Sequence, residues 1–464
     1  MVRTSRAVLV GALVSSFIAL LAFIGGVTVA LRWGSSLPLV AAAGSASTAQ
    51  GTTPAEVKDD FRVFWEVWSL VDSKFYHTEP LDYGKMTYGA IEGMLKSLED
   101  DYTFFEEPRA TEQTRERMSG EVEGIGAYLE FRDNKLLILS PIEESPAEKA
   151  GLLAGDQIIK VDDRDMAPIV EGLSSTEAAR KAATFIRGPK GTTVKLTIVR
   201  AATNETLEVS IVRDAVPLIS VRSYLLDGNI AYVQVSEFKE TTTGELDKVL
   251  NKALAQKPAG LILDLRNNPG GLLESAREML GRFVPDGMAL KEEFSDGKTS
   301  EMEIIRNSGA ADALDIPMVV LVNSGSASAS EIVAGALRDH QRATLLGEKT
   351  FGKGSVQSIE PLSDGSSARI TIAHWLTPNG TEIHKKGIEP DHYVPFLQDD
   401  QYLITFPPGR PTDPESVKDS QLWWALKVLD SQERPSFPLP TPTPGADATA
   451  APAETAQPEA TSAP

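Results

Sequence analysis

From residue 59 onward, the interval between apolar residues marks out successive elements. In DDFRVFWEVWSLVDSKFY (59–76), Phe61, Phe64, Trp65, Trp68 and Val71 recur every three or four positions, which predicts an amphipathic helix. MTYGAIEGMLKSLED (86–100) repeats that period through Ile91, Met94, Leu95 and Leu98, and the two stripes are expected to pack together as a small helical unit. From about Glu121 the period drops to two, in AYLEF and KLLILSPI, with a turn at Asp133-Asn134. The pair TVKLTIVR and TLEVSIVR, joined by AATNE, closes this small mixed β domain near Arg213. Beyond it NIAYVQVSEF, AGLILDLRNN and IPMVVLVNSG are continuous apolar runs, each followed by a helical pattern, as the buried strands of an α/β unit require.

The two ends of the chain differ from this middle. Residues 7–31 carry no charge, with Arg3 and Arg6 before them and Arg32 after, which predicts a membrane anchor over 1–34 with the rest of the chain carried across the membrane. Signal cleavage in VAAAGSASTAQ is the alternative, leaving a secreted or periplasmic protein. A Gly/Ser/Thr/Ala-rich linker (35–54) leads to the helical region (55–120), the β domain (121–213), the α/β region (214–400) and a C-terminal region (401–434). Residues 435–464 are rich in Pro, Ala and Thr and are expected to be disordered.

Composition excludes several kinds of chemistry. With 464 residues and 42% hydrophobic content the chain can bury a sizeable core. It has no cysteine, hence no disulfide, thiolate metal site or cysteine nucleophile. A net charge of -20 disfavours nucleic acid as a partner. The five histidines (His77, His340, His374, His384, His392) form no triad pattern and show no metal-ligand spacing, so no metal is expected. GEKTFGKG (347–354) nearly spells a phosphate-binding loop, but Gly354 stands where a hydroxyl is needed and a strand pattern follows instead of a helix, so nucleotide binding is rejected.

Candidate chemistry lies in VNSGSASASEIVAGALRDH (322–340), which puts Ser324, Ser326, Ser328 and Ser330 at a strand-to-helix turn. Taken alone, Ser328 with Glu331 reads first as a helix capping box. The same position suits a nucleophile, because first-turn amides have no intrahelical partner and can hold an oxyanion. Ala329 would give one N–H, and Gly270 or Gly271 of LDLRNNPGG the second. Without a histidine base, a lysine is the alternative. Its pKa of ~10.4 must fall by about 3, at a cost of about 4 kcal/mol, which burial can supply. Lys353, in a glycine-rich loop beside Phe351, is a candidate for that role or an ordinary turn lysine; Lys349 adjoins Glu348, which would keep it charged.

At these residues the chain resembles the carboxyl-terminal processing, or tail-specific, proteases, serine peptidases with a Ser-Lys dyad. LDLRNNPGG, NSGSASASEIVAGALRDH and GEKTFGKGSVQ are similar to that family's signatures and stand in its order, and the resemblance covers residues 61–396. It implies Ser328 as nucleophile, Lys353 as general base, Gln357 as the group orienting the lysine and Asp339 as a supporting acid. Asp339 lies eleven residues past Ser328, about three turns on and so on the same helix face.

GIGAYLEF with SPAEKAGLLAGDQIIKVDD resembles a PDZ domain. This implies that Gly124, Ile125, Gly126 and Ala127 receive a peptide's terminal carboxylate. FIRGPKGT resembles the segment whose arginine, here Arg187, couples that domain to the active site. The implied fold is a multidomain α/β and α+β chain: helical N-terminal region, PDZ domain and crotonase/Clp-protease-like core. The implied activity is C-terminal endoproteolysis, without cofactor, on proteins with accessible C-termini, at the extracytoplasmic face of a bacterial-type membrane. The tryptophans of the first helix suggest a homodimer. Rival readings are a non-catalytic PDZ scaffold and a carrier of hydrophobic molecules; Lys353 and Gln357 speak against the carrier, which has no need of a base.

Overall fold

A computed structural model of the protein describes residues 57–142, 144–307, 312–407, 416–431 and 433–439. The charge-free residues 7–31, the linker and most of the Pro/Ala/Thr-rich end lie outside the described residues. Among the described residues no helix is long and apolar enough to cross a membrane.

Two compact units divide at Tyr83/Gly84. In the first, α1 (Lys58–Lys74) forms where the period predicts it. Its aromatic residues meet edge-on along the helix, Phe64 with Trp65 and Trp65 with Trp68 at 5.0 and 6.0 Å, while Phe61 and Trp65 remain exposed. α2 (Tyr83–Lys96) begins at the boundary.

The region expected to be helical also holds a strand, β1 (Phe104–Glu106), followed by α3 (Pro108–Ser119). Three residues are too few for a periodic signal; the partner strand decides that they are extended. The β domain follows, as β2 (Glu121–Gly124), β3 (Ala127–Arg132), β4 (Lys135–Pro141), the short α4 (Pro146–Lys149), β5 (Gln157–Val161), β6 (Arg164–Asp165), α5 (Ala167–Val170), α6 (Ser175–Ile186), β7 (Thr193–Val199) and β8 (Thr206–Val212). Its sheet runs β3-β4-β5-β7-β8 with β6 on β5, so β3 is an edge. α6 starts at a capping box of Ser174 and Glu177 and buries Ala178, Ala182 and Ile186 in this domain's core. β9 (Asp214–Pro217) pairs antiparallel with β2, which brings the domain's entry and exit together.

In the α/β region β10 (Val221–Leu226) pairs antiparallel with β11 (Ile230–Val235). Parallel to β11 run β12 (Gly260–Asp264), β15 (Met318–Val322), β16 (Thr344–Gly347) and β19 (His392–Tyr393), in that order. β12 and β15 are buried at every position, which explains their unbroken apolar runs. Alternate residues serve opposite faces. Leu261, Leu263 and Val320 join the cluster formed with α7 (Thr242–Leu254), α8 (Leu273–Leu280) and α9 (Ala329–Asp339), whereas Ile262, Val319 and Leu321 meet α10 (Ser420–Ser431). A second sheet contains β1, β18 (Ser367–Leu376), β13 (Met288–Phe294) and β14 (Thr299–Glu303), with β17 (Ser355–Pro361) also on β18. Phe104 faces Arg369 across the β1–β18 pair, so the chain ahead of the β domain is built into this second sheet. A small ribbon of β20 (Leu403–Thr405) and β21 (Ser416–Lys418) precedes α10.

Candidate active site

The neighbouring parallel strands β12, β15 and β16 end on one edge, the side on which open α/β sheets place their chemistry. The loops after them hold one another through side chain to backbone bonds. Buried Ser326 donates to the Leu265 carbonyl at 2.8 Å and accepts the Asn323 N–H at 3.0 Å. Buried Ser330 donates to the Asn268 carbonyl at 2.8 Å, which also takes the Ala327 N–H at 3.0 Å. Ser324 is exposed. Two of the four serines are thus fastened as loop pins.

Ser328 differs in its backbone. Its φ of 54° and ψ of -116° are a conformation that a side-chain-bearing residue adopts only under constraint, at about 1–3 kcal/mol. Glu331 supplies that constraint, its Oε2 accepting the Ser328 N–H at 2.9 Å. The two residues stand in the reciprocal arrangement of a capping box, yet no hydrogen bond from the Ser328 hydroxyl caps α9, and the Glu331 N–H goes to the Ser328 carbonyl at 2.8 Å. The expected cap is made by the glutamate and not by the hydroxyl.

Glu331 also reaches the lysine loop. Its Oε2 accepts the Lys353 N–H at 2.9 Å, and its Oε1 accepts the Gly352 N–H at 2.7 Å and the Thr350 hydroxyl at 2.6 Å. One oxygen therefore bridges the backbones of Ser328 and Lys353. Burial pushes this carboxyl above the ordinary range, and the Thr350, Gly352, Ser328 and Lys353 donors pull it back. Gly354 packs so closely that a Cβ there would lie 2.4 Å from the His384 backbone nitrogen, which is why a glycine follows the lysine. The Trp375 indole donates to the Lys353 carbonyl at 3.1 Å, and the Lys353 Nζ stands 5.0 Å from the centre of the Tyr102 ring.

The glycine turn abuts the serine. A Cβ on Gly270 would lie 2.7 Å from the Ser328 Cβ and 2.9 Å from the Ala329 nitrogen, at a φ of +105°. Gly270→Ala is therefore expected to lose about 1–3 kcal/mol of stability and most turnover, measured by thermal unfolding and peptide hydrolysis. Of the two alternatives for the second donor, Gly270 and Gly271, the Gly270 N–H donates to Asn268 Oδ1 at 2.9 Å, which satisfies part of that buried amide side chain. The Gly270 carbonyl and the Leu272 N–H both bond to Phe238, which turns the Gly271 N–H the opposite way.

The other residues singled out fall in different places. Gln357 Nε2 donates to Ser355 at 2.7 Å and Thr371 at 3.3 Å. Asp339 ends α9, about 16 Å of helix rise beyond Ser328, and accepts the Asn379 N–H at 2.8 Å. It fastens a turn remote from the serine. In the β domain the Ile125 carbonyl accepts from Ala147 at 2.7 Å, and the Gly126 carbonyl from Ile142 and Ser145 at 2.9 Å each. The carbonyls of the Gly124 to Ala127 loop are thus engaged inward. Arg187, exposed at the end of α6, has its Cγ 3.7 Å from where a Cβ on Gly124 would stand.

Sequence reasoning overlooked Asn268, Thr350 and Tyr102 and gave Glu331 too small a part. The spacing of Glu331 from Ser328 was visible; its bonds to a loop about twenty residues further on were not.

Comparison with known proteins bears on the same segments. Residues 229–394 match the model of Peptidase family S41 and residues 124–211 that of the PDZ domain. The chain is similar to Carboxy-terminal processing protease CtpA of Bacillus subtilis (strain 168), 40% identical over 326 residues, covering 70% of this chain and 67% of that one. It is 39% identical over 368 residues to the Carboxyl-terminal-processing protease of Synechocystis sp. (strain ATCC 27184 / PCC 6803 / Kazusa), covering 78% and 81% respectively. Among solved structures it is similar to the photosystem II D1 C-terminal processing protease, with 31% identity, 72% and 86% of the chains covered and a TM-score of 0.41. The two family models together span the strand-end loops and the β domain, and the chain belongs to peptidase family S41, a serine peptidase carrying a PDZ domain.

Proposed function

We propose that this peptidase cleaves protein chains near their C-termini with Ser328 as nucleophile and Lys353 as base. The observation that carries the reading is the single Glu331 oxygen joining the Ser328 and Lys353 backbones, which fixes a strained serine and a lysine loop to one point. Neutral Lys353 takes the hydroxyl proton as Ser328 Oγ attacks the scissile carbonyl. The Ala329 and Gly271 N–H groups hold the oxyanion, and the protonated amine returns its proton to the leaving nitrogen. Water, deprotonated by the same amine, then hydrolyses the acyl-enzyme. Gln357 bears on the base through Ser355 and Thr371, and we assign it no direct bond to the amine.

Capture of the substrate end falls to the PDZ domain. A C-terminal carboxylate meets the Gly124 to Ala127 amides, and the peptide adds as a strand on the open edge of β3 beside α6. Arg187, whose Cγ lies near Gly124, responds to that carboxylate in this reading.

The test uses one unstructured peptide with a free or an amidated C-terminus, incubated with the full chain and read by mass spectrometry. Internal cleavage of the free acid is expected, about tenfold slower for the amide. Lys353→Ala is expected to abolish cleavage and fluorophosphonate labelling of Ser328. Equal cleavage of acid and amide removes the carboxylate-capture reading; undiminished labelling of Lys353→Ala removes the base.

A further inference from the structure

We infer that Tyr102 is a positioning residue for the base, supplied by chain that precedes the PDZ domain and holding the Lys353 amine against the face of its ring. The inference rests on Lys353 being the base, as proposed above. At 5.0 Å from the ring centre, the amine is within the ~6 Å at which an aromatic quadrupole attracts an ammonium.

The ring is itself firmly placed. The Tyr102 N–H and the Thr103 hydroxyl both donate to Asp100, at 3.2 and 2.6 Å. Thr103 Oγ1 accepts the Thr371 N–H at 3.0 Å, while the Thr371 hydroxyl accepts from Gln357. Phe104 then enters the second sheet opposite Arg369. Residues 100–104 are thereby fastened to β18, whose partner β17 begins two residues after Lys353. Edge-on to Tyr102 at 6.2 Å lies His384, stacked on His374 at 4.2 Å, so the ring is held from that direction too.

A lysine stem has several freely rotating bonds, and a ring face at its tip limits where the amine dwells. The same face favours the charged amine, so it raises the pH at which the base becomes neutral. The charged and titratable groups around this point are Glu331, bonded to the Lys353 backbone; Asp100 and Asp101, from the segment of the ring; and His384, His374 and Lys385 beyond it. Burial, then His374 and Lys385, hold His384 below the ordinary imidazole range.

The experiment measures kcat and KM against pH with the full chain and a fluorogenic unstructured peptide bearing a free C-terminus. Tyr102→Phe keeps the ring and is expected to keep the wild-type profile. For Tyr102→Leu, the acid limb of kcat is expected to move to lower pH by about 0.5–1, with a plateau about tenfold lower and KM unchanged. Tyr102→Met stands in if the leucine variant does not fold. An unmoved limb or a wild-type plateau in the ringless variant overturns the inference. Lys353→Ala, assayed in parallel, separates the two levels: if it is inactive, a wild-type Tyr102→Leu profile removes only the part given to Tyr102, whereas an active Lys353→Ala removes the base itself.

Discussion

Ser328→Ala is expected to lose about 10³–10⁶-fold in turnover while unfolding at nearly the same temperature as the wild type. The hydroxyl caps no helix, so its removal leaves no buried partner orphaned and only the attacking atom is lost. Ser328→Gly sharpens the test. Glycine adopts a φ of 54° without a Cβ penalty, so this variant is expected to be equally inactive and up to about 1 kcal/mol more stable than the wild type, offset in part by the extra freedom of the unfolded chain. A dead yet stabilised variant would mark the strain as kept for function. Turnover near the wild-type rate in Ser328→Ala would remove the nucleophile, and thermal collapse would mean that the residue is structural after all.

The second large effect is expected from Glu331→Gln. The carboxylate accepts from two donors on each oxygen: Ser328 and Lys353 on one, Thr350 and Gly352 on the other. A carboxamide has a single accepting oxygen, so its NH2 faces either the Ser328 and Lys353 N–H groups or the Gly352 N–H and a Thr350 hydroxyl that can turn to accept. Orphaning one or two buried or half-buried N–H groups costs about 1–6 kcal/mol, a large share of the ~5–15 kcal/mol that holds a domain together. Activity is expected to fall at least a hundredfold even where the variant folds, because the serine turn and the lysine loop lose their common fastening. Denaturant unfolding and peptide turnover check the two halves separately. A variant of wild-type stability would show that Glu331 is not the bridge described here.

The serine segment shows how far sequence reasoning reached. Four alternating serines at a strand-to-helix turn were legible because β15 and α9 each declare themselves by their own period. Which serine is free of structural duty was not, since Ser326 and Ser330 are engaged by Leu265 and Asn268, some sixty residues earlier. The bond of the Gly270 amide was not legible for a related reason: its partner, Asn268, is only two residues away, but nothing in the sequence tells whether that side chain turns inward. In the helical region, β1 was missed because three residues have no period of their own and become a strand only against β18.

By itself the sequence determined the order of elements, the all-apolar strands of the parallel sheet, the β domain and the glycine-rich loops, because these follow from local periodicity and from φ preferences that each residue carries with it. Tertiary structure alone decided that one buried carboxylate would join the serine turn to the lysine loop and that a tyrosine from ahead of the PDZ domain would face the lysine. Those relations depend on contacts between distant stretches of chain. Their energies come from desolvation and hydrogen bonding, which exist only once the sheets and loops have closed around them.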